Sequence, residues 1–158
     1  MHTFYIKNIK ETDFTALDIL SFLMKIDKDY DPPISTKVNL EIYAHKIFLH
    51  ADIIIIYEHG ADSIGGLISF YSNQEYGPYS YIPVIGVLKN LRGRGYAKHL
   101  LAACFECLNQ KNINLVKMQT WSSNPALKFY KKLGFDETSR LPDRPNGVES
   151  VHLEYCIK

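Results

Sequence analysis

The sequence has little of what marks secreted, membrane-spanning or nucleic-acid-binding proteins. Its 158 residues include 3 cysteines, an odd number that argues against a disulfide framework and fits a reducing cytoplasm. No apolar run approaches the roughly 20 residues that span a bilayer, and no basic segment followed by an apolar one resembles a signal peptide. A net charge of +1 provides no field that would attract nucleic acid or an anionic membrane. We therefore expect a cytoplasmic protein with neither a nucleic-acid nor a membrane partner.

Metal and redox motifs are also missing. Cys104 and Cys107 have the spacing of a CxxC pair, but no second pair exists and both fall on the apolar face of a helical pattern. His45 and His50 are spaced so that one helix face cannot carry both. The sequence therefore predicts no bound metal.

What remains is an ordinary globular composition, with 46% apolar and 22% charged residues. A chain of this length buries most of its apolar surface around one core. No linker or repeat divides it. We predict a single domain over residues 1–158.

Apolar periodicity predicts an α+β protein with helices and strands mixed along the chain. Helices are expected after Thr12-Asp13, from Ser35 or Thr36, after Gly95 and after Asn124. Strands are expected over residues 4–6, 53–58, 63–72, 79–87, 115–120, 135–138 and 148–156. A helix between the fourth and fifth strands makes that pair parallel, whereas the short turns before it make the preceding strands antiparallel. The expected architecture is one mostly antiparallel, twisted sheet of about six or seven strands, flanked by about four helices.

The most informative segment is the turn between the fourth strand and the third helix. The first amides of a helix lack partners and bind anions, and Gly93 and Gly95 allow a bulky anion to approach the backbone. Arg92, Arg94 and Lys98 gather at the same helix start, where cations oppose the helix dipole. A ligand that bears phosphate would supply the missing negative charge.

Two motifs resemble those of the GNAT superfamily of N-acetyltransferases. Residues 92–97 match the coenzyme A signature Arg/Gln-x-x-Gly-x-Gly/Ala, and residues 124–135 carry the asparagine, alanine, tyrosine and Gly-Phe pair of the second motif at the expected offsets. The resemblance extends over nearly the whole chain, from Phe4 to Tyr155. It implies a GNAT-like acyl-CoA N-acyltransferase fold in which the parallel fourth and fifth strands splay apart.

The resemblance implies that acetyl-CoA, as cosubstrate, lies between the splayed strands. The backbone of Ile85, Gly86 and Val87 would pair with its pantetheine arm. The backbone amides that would hold its pyrophosphate belong to Arg92, Gly93, Arg94, Gly95, Tyr96 and Ala97. Pro83 and Gly86 fit a strand with a free edge, since proline donates no ladder bond and an interior glycine often marks a bulge. Asn124 is either a helix cap alone or a cap that also contacts the ligand.

The same resemblance assigns candidate catalytic groups. A backbone amide at the fourth-strand bulge, near Val87, is the candidate donor to the thioester oxygen. Tyr130 aligns with the tyrosine that protonates the leaving sulfur in many relatives, although its helical face also suits a core tyrosine. Glu75 is the candidate general base, with Tyr79 and Tyr81 as further groups before or on the fourth strand. Each of these three also fits a solvated or packing role.

The acceptor site is expected at the loop after the first helix, where Asp29, Tyr30 and Asp31 lie, and along Tyr79 and Tyr81. The carboxylates could hold a cationic amine or bond sugar hydroxyls, and the aromatic rings could stack on a sugar. A solvated acidic loop and ordinary strand alternation are the structural alternatives.

Together these features predict transfer of an acetyl group from acetyl-CoA to the primary amine of a small molecule, with an amino sugar as one candidate. The amine would attack directly in a ternary complex. Two alternatives stay open, acetylation of a protein N-terminus or lysine, and a non-catalytic acyl-CoA sensor. A homodimer through the C-terminal strands, frequent among proteins of this fold, is also open.

Overall fold

The computed structural model describes residues 3–72 and 77–158, which form one seven-stranded mixed sheet. Its strands are β1 (Phe4–Asn8), β2 (Asp52–Glu58), β3 (Ile64–Tyr71), β4 (Ser80–Val87), β5 (Leu115–Trp121), β6 (Asp136–Leu141) and β7 (Ser150–Cys156). Its α-helices are α1 (Ala16–Ile26), α2 (Leu40–His50), α3 (Tyr96–Gln110) and α4 (Leu127–Leu133). The strand order is β1-β2-β3-β4-β5-β7-β6, and only β4 and β5 pair in parallel. The predicted α+β fold class is confirmed.

The first two helices begin later than the sequence patterns predict. Thr15 caps α1, and Asn39 caps α2 by accepting a hydrogen bond from the amide of Ile42 at 3.0 Å. Ser35, where the second helix was expected to start, lies instead in a short 3₁₀ turn, and its amide donates to the Asp27 carboxylate at 2.8 Å. The polar groups of this loop therefore bond within the loop.

The sheet separates two hydrophobic cores. Helices α3 and α4 pack on one face, where buried side chains of β2 to β5 and β7 meet them. Helices α1 and α2 pack on the other face, where the strand residues of the core come only from β2, β3 and β4. Within the described residues, the α1 side of β5 and β7 is thus outside the core, and half-buried side chains such as Gln119 and Trp121 lie there.

None of the helices in residues 3–72 and 77–158 is long and apolar enough to cross a bilayer.

Candidate active site

The parallel strands β4 and β5 pair only at their amino-terminal ends. Their register runs from Ser80 opposite Val116 to Ile82 opposite Met118, and no pair follows. The strands then diverge and leave a cavity of about 350 Å³. Its lining residues are Ile26, Asp29, Tyr30, Ile82, Pro83, Ile85, Gly86, Val87, Arg92, Ala97, Met118, Gln119, Thr120, Trp121, Asn124, Pro125, Ala126 and Tyr130. The predicted splay of these two strands is confirmed.

The divergence exposes a strand edge in the middle of the sheet. Two carbonyl oxygens of β4 accept hydrogen bonds from side chains in the cleft. The Tyr30 hydroxyl donates to Ile85 O at 2.8 Å, and Arg92 Nε donates to Val87 O at 2.9 Å. In an extended strand the N–H of a residue points to the same side as its C=O. The amides of Ile85 and Val87 therefore also face the cleft, beyond the last β4–β5 pair.

The bulge of β4 lies earlier than the sequence suggested. The register with β3 shifts between Tyr81 and Val84, around Pro83, whereas Gly86 pairs regularly with Leu67. Gly86 has a different role, because a Cβ there would lie 2.9 Å from Ile26 Cδ1 on α1. Its missing side chain lets α1 pack closely on the strand, so the expectation of a bulge near residues 86–87 is corrected.

The glycine turn has the backbone that an anion cradle needs. Gly93 and Gly95 have φ values of +79° and +82°, a left-handed region that other residues seldom adopt, and a Cβ at either would meet no atom within 4 Å. Gly95 is the N-cap of α3 and has no side chain to cap it. Beyond it, the amides of Tyr96 and Ala97 are among the helix-start donors that lack an intrahelical partner.

The side chains of the turn point in different directions. Arg94 is exposed, while the Tyr96 ring packs on Phe4 with centroids 5.3 Å apart and so belongs to the core. Arg92 turns back towards β4, and its Nη2 lies 2.6 Å from Asp29 Oδ2. The turn therefore exposes backbone amides at the start of α3, whereas the Arg92 side chain is paired with the loop after α1.

Tyr130 lies on α4, is buried, and lines the cavity. Burial raises the pKa of its phenol to about 12, so the hydroxyl keeps its proton at neutral pH. Burial also raises the pKa of Tyr30, and the nearby Tyr130 adds to that shift. Tyr30 and Tyr130 thus line the cavity from opposite faces of the sheet.

Asn124 uses both ends of its amide within the protein. Its Nδ2 donates to Thr120 Oγ1 at 2.7 Å, and its Oδ1 accepts from the amide of Ala126 at 2.9 Å. The helix itself starts later than predicted, at Leu127. Asn124 thereby links the end of β5 to the start of α4, on the wall of the cavity.

The predicted acceptor residues separate into two groups. Asp29 and Tyr30 line the cavity, whereas Asp31, Tyr79 and Tyr81 do not. The ring of Tyr79 lies 4.2 Å from Lys117 Nζ, and Tyr81 is 37% exposed. Glu75, the candidate base, lies outside the described residues.

Sequence reasoning missed two side chains at the acceptor end. Trp121 ends β5 with its ring centroid 5.2 Å from that of Tyr30, and period-two alternation from Lys117 could have placed it on this face. Arg144, in the loop between β6 and β7, lies over Trp121 with its guanidinium carbon 6.0 Å from the ring centroid. No local pattern around Arg144 predicts that contact.

Among the described residues, no group of three histidine, cysteine, aspartate or glutamate side chains is placed to hold a metal ion.

The sequence model of the Acetyltransferase (GNAT) family matches residues 20–135. The chain belongs to this family. The resemblance inferred from the two motifs is thus confirmed, and the protein is an acyltransferase of the GNAT N-acetyltransferase family.

Individual relatives of this GNAT protein are distant. The Arabidopsis thaliana N-alpha-acetyltransferase MAK3 is 23% identical over 148 residues, which cover 92% of this chain and 76% of the relative. A proposed acetyltransferase from Acinetobacter baylyi superposes with a TM-score of 0.79 at 18% identity, covering 99% of this chain and 93% of the other. A proposed streptothricin acetyltransferase from Bacillus anthracis, in complex with acetyl coenzyme A, has a TM-score of 0.60 at 24% identity, covering 69% of this chain and 64% of the other.

Proposed function

We propose that this GNAT protein transfers the acetyl group of acetyl-CoA to the primary amine of a small molecule, with an amino sugar as the first candidate. One observation carries the proposal. A single cavity runs from the start of α3 along the open edge of β4 to Tyr30 and Trp121. It therefore connects the start of α3, where we propose that the pyrophosphate binds, to the aromatic rings of Tyr30 and Trp121, across the line where β4 and β5 separate.

The backbone of this chain suits acetyl-CoA. The amides of residues 93–97 would hold its pyrophosphate, because the positive φ of Gly93 and Gly95 opens the turn and no Cβ blocks it. The amide of Arg92, which was also expected there, donates instead to the carbonyl of Lys89 at 3.3 Å. The cleft-facing amides of Ile85 and Val87 would bond the pantetheine arm and the thioester oxygen. A preorganised donor to that oxygen is worth about 3–4 kcal/mol in comparable acyl-transfer sites.

The reaction needs one proton donor and one proton acceptor. The neutral amine attacks the thioester carbon, a C–N bond forms, the C–S bond breaks, and Tyr130 protonates the departing sulfur. The nitrogen loses one N–H proton as it becomes an amide, and that proton restores the Tyr130 phenol. Tyr130 suits this role because its raised pKa keeps the phenol protonated. An alkylammonium must lose its proton before attack, since its pKa is near 10, and Glu75 remains the proposed base for that step.

The acceptor would enter the cavity at the end lined by Tyr30 and Trp121, opposite the start of α3. Arg144 donates a hydrogen bond to the carbonyl of Asp31, so the β6–β7 loop meets the α1–α2 loop above Trp121. The aromatic rings of Trp121 and Tyr30 beneath this bridge offer a stacking surface for a sugar. Asp29 is the carboxylate that lines this part of the cavity, and it is paired with Arg92 at 2.6 Å.

A second candidate acceptor is the N-terminus of a peptide, which would also enter the cavity at this end. The observation that favours it is the similarity to the N-alpha-acetyltransferase MAK3 along 92% of this chain.

Calorimetric titration with acetyl-CoA, together with a thiol-release assay, tests the proposal. The acceptors would be amino sugars, alkylamines, peptides with free N-termini, and N-blocked lysine peptides. We expect acetyl-CoA to bind and at least one amino sugar to turn over. Turnover of free N-termini alone would favour the second candidate. Binding without turnover on any amine would contradict both.

A further inference from the structure

Arg144 is held in place by a built network at the acceptor end of the site. Its Nε donates to Ser150 Oγ at 2.9 Å, and its Nη1 donates to the carbonyl of Asp31. Ser150 is fully buried, and its hydroxyl also accepts from Gln119 Nε2 at 3.0 Å and donates to Asp143 Oδ1 at 2.6 Å. The guanidinium is therefore fixed by the sheet on one side and by the α1–α2 loop on the other.

The charge of Arg144 is not neutralised by a direct ion pair. The Asp143 carboxylate is linked to Arg144 only through the Ser150 hydroxyl, whose hydrogen bond lowers the pKa of Asp143, and the charge of Arg144 helps to lower it. Arg92, which lines the cavity, is by contrast paired with Asp29 at 2.6 Å. Within residues 3–72 and 77–158, no carboxylate forms such a pair with Arg144. A guanidinium has five N–H groups, and the two hydrogen bonds that fix Arg144 leave the others for an anion.

The position of Arg144 relates this charge to the acceptor. Its guanidinium carbon lies 6.0 Å from the centroid of Trp121, which lines the cavity and contacts Tyr30. The charge of Arg144 also acts on Tyr81, where it opposes the rise in the phenol pKa that partial burial causes. Arg144 thus lies at the rim of the cavity, beyond the aromatic surface and away from the glycine turn.

We propose that the acceptor amine carries an anionic group, a phosphate or a carboxylate, which Arg144 binds at this rim while the body of the molecule lies on Trp121. This inference rests on the proposed acetyl transfer and names a class of acceptor for it. The amine then points inward to the thioester, and the anion stays at the rim, where two loops meet.

Binding can be measured without turnover, because Trp121 is the only tryptophan in the chain. The probes are glucose 6-phosphate against glucose, and N-acetylglycine against its amide, none of which has a free amine. We expect a saturable change in Trp121 emission with at least one anionic probe and none with its neutral partner. The probe that binds identifies phosphate or carboxylate as the anion.

Substitutions assign the effect to Arg144. Arg144→Gln should weaken binding of the anionic probe about 10- to 100-fold, the range expected for losing charged hydrogen bonds. Arg144→Lys keeps the charge and should recover part of the affinity. The matched control is Arg140→Gln on β6, since Arg140 is paired with Glu137 at 2.8 Å and should leave binding unchanged.

Turnover supplies a second measurement, with glucosamine 6-phosphate against glucosamine, and glycine against glycinamide. We expect kcat/KM to favour an anionic member by about 10-fold or more, through KM, and Arg144→Gln to bring the two members of each pair to similar kcat/KM values. Emission changes that persist in Arg144→Gln, or equal losses for neutral and anionic amines, would overturn the inference. Arg144-dependent binding without turnover of any amine would support the anion site and contradict the proposed reaction.

Discussion

The two ends of the cavity are built from different materials. At the α3 end the groups proposed to bind the ligand are backbone amides. They are positioned by Gly93 and Gly95, two glycines with positive φ that are separated by one residue. At the acceptor end the proposed binding groups are side chains from distant segments, and the bond from Arg144 to Asp31 joins residues 113 positions apart. The geometry of the α3 end is set by residue types at a fixed local spacing. The geometry of the acceptor end is set by contacts that form only when the whole chain has folded. Substitutions should therefore act on the first end through conformation and on the second through individual contacts.

The largest effect is expected at the glycine turn. Gly95→Val places a β-branched side chain at φ +82° and in front of the amides of α3, so it should abolish measurable binding of acetyl-CoA, a loss of roughly 1,000-fold. Calorimetric titration measures it. The matched control is Gly60→Val, because Gly60 has φ +80° with equally open surroundings but lies between β2 and β3. Equal affinity for acetyl-CoA in the two variants would show that the glycine turn does not bind the pyrophosphate.

The next effect separates chemistry from binding within the cavity. Tyr130→Phe removes the proposed proton donor and should lower kcat by about 100-fold or more, with little change in KM for acetyl-CoA. Steady-state kinetics measure both quantities. Tyr155→Phe is the control, since Tyr155 packs on Phe105 with ring centroids 4.6 Å apart and does not line the cavity. An unchanged kcat in Tyr130→Phe would make Tyr130 a packing residue.

The pH dependence tests the same residue without a substitution. Because burial raises the pKa of Tyr130 to about 12, its proton is lost only as the pH climbs towards that value. The acceptor amine becomes nucleophilic as the pH rises towards its own pKa, near 10 for an alkylamine. We expect kcat/KM to rise from about pH 6 to about pH 10 with no descending limb. A descending limb inside that range would indicate an acid with a lower pKa than that of Tyr130.

The smallest effect concerns the connection between the two ends. Asp29→Asn frees Arg92 from its exposed ion pair, which is worth up to about 1 kcal/mol, so the affinity for acetyl-CoA should increase by at most about fivefold. Titration at low ionic strength measures the gain. Asp27→Asn controls for disturbance of the same loop, because Asp27 bonds Ser35 and not Arg92. Weaker binding in Asp29→Asn would mean that Asp29 orients Arg92 for the ligand.

The same contrast explains how far the sequence could predict this molecule. The seven strands, the parallel β4–β5 pair and the family follow from periodicity and two motifs, since both are local. Gly86 illustrates the limit, because its role is set by Ile26 on another element. The sequence pattern misplaces the start of α2, because Ser35 has a competing hydrogen-bond partner in Asp27. Arg144 could not be found at all, because only the folded sheet brings its loop over Trp121.

The open edge of β4 has a further consequence for the free protein. An unpaired strand edge is a template on which other chains can add a strand, and strand addition requires both donors and acceptors. Tyr30 and Arg92 already donate to the carbonyl oxygens of Ile85 and Val87, and their side chains cover that part of the edge. A β-strand from another molecule would have to compete with these two side chains before it could pair there. The two contacts thus disfavour strand addition at the edge where acetyl-CoA is proposed to bind.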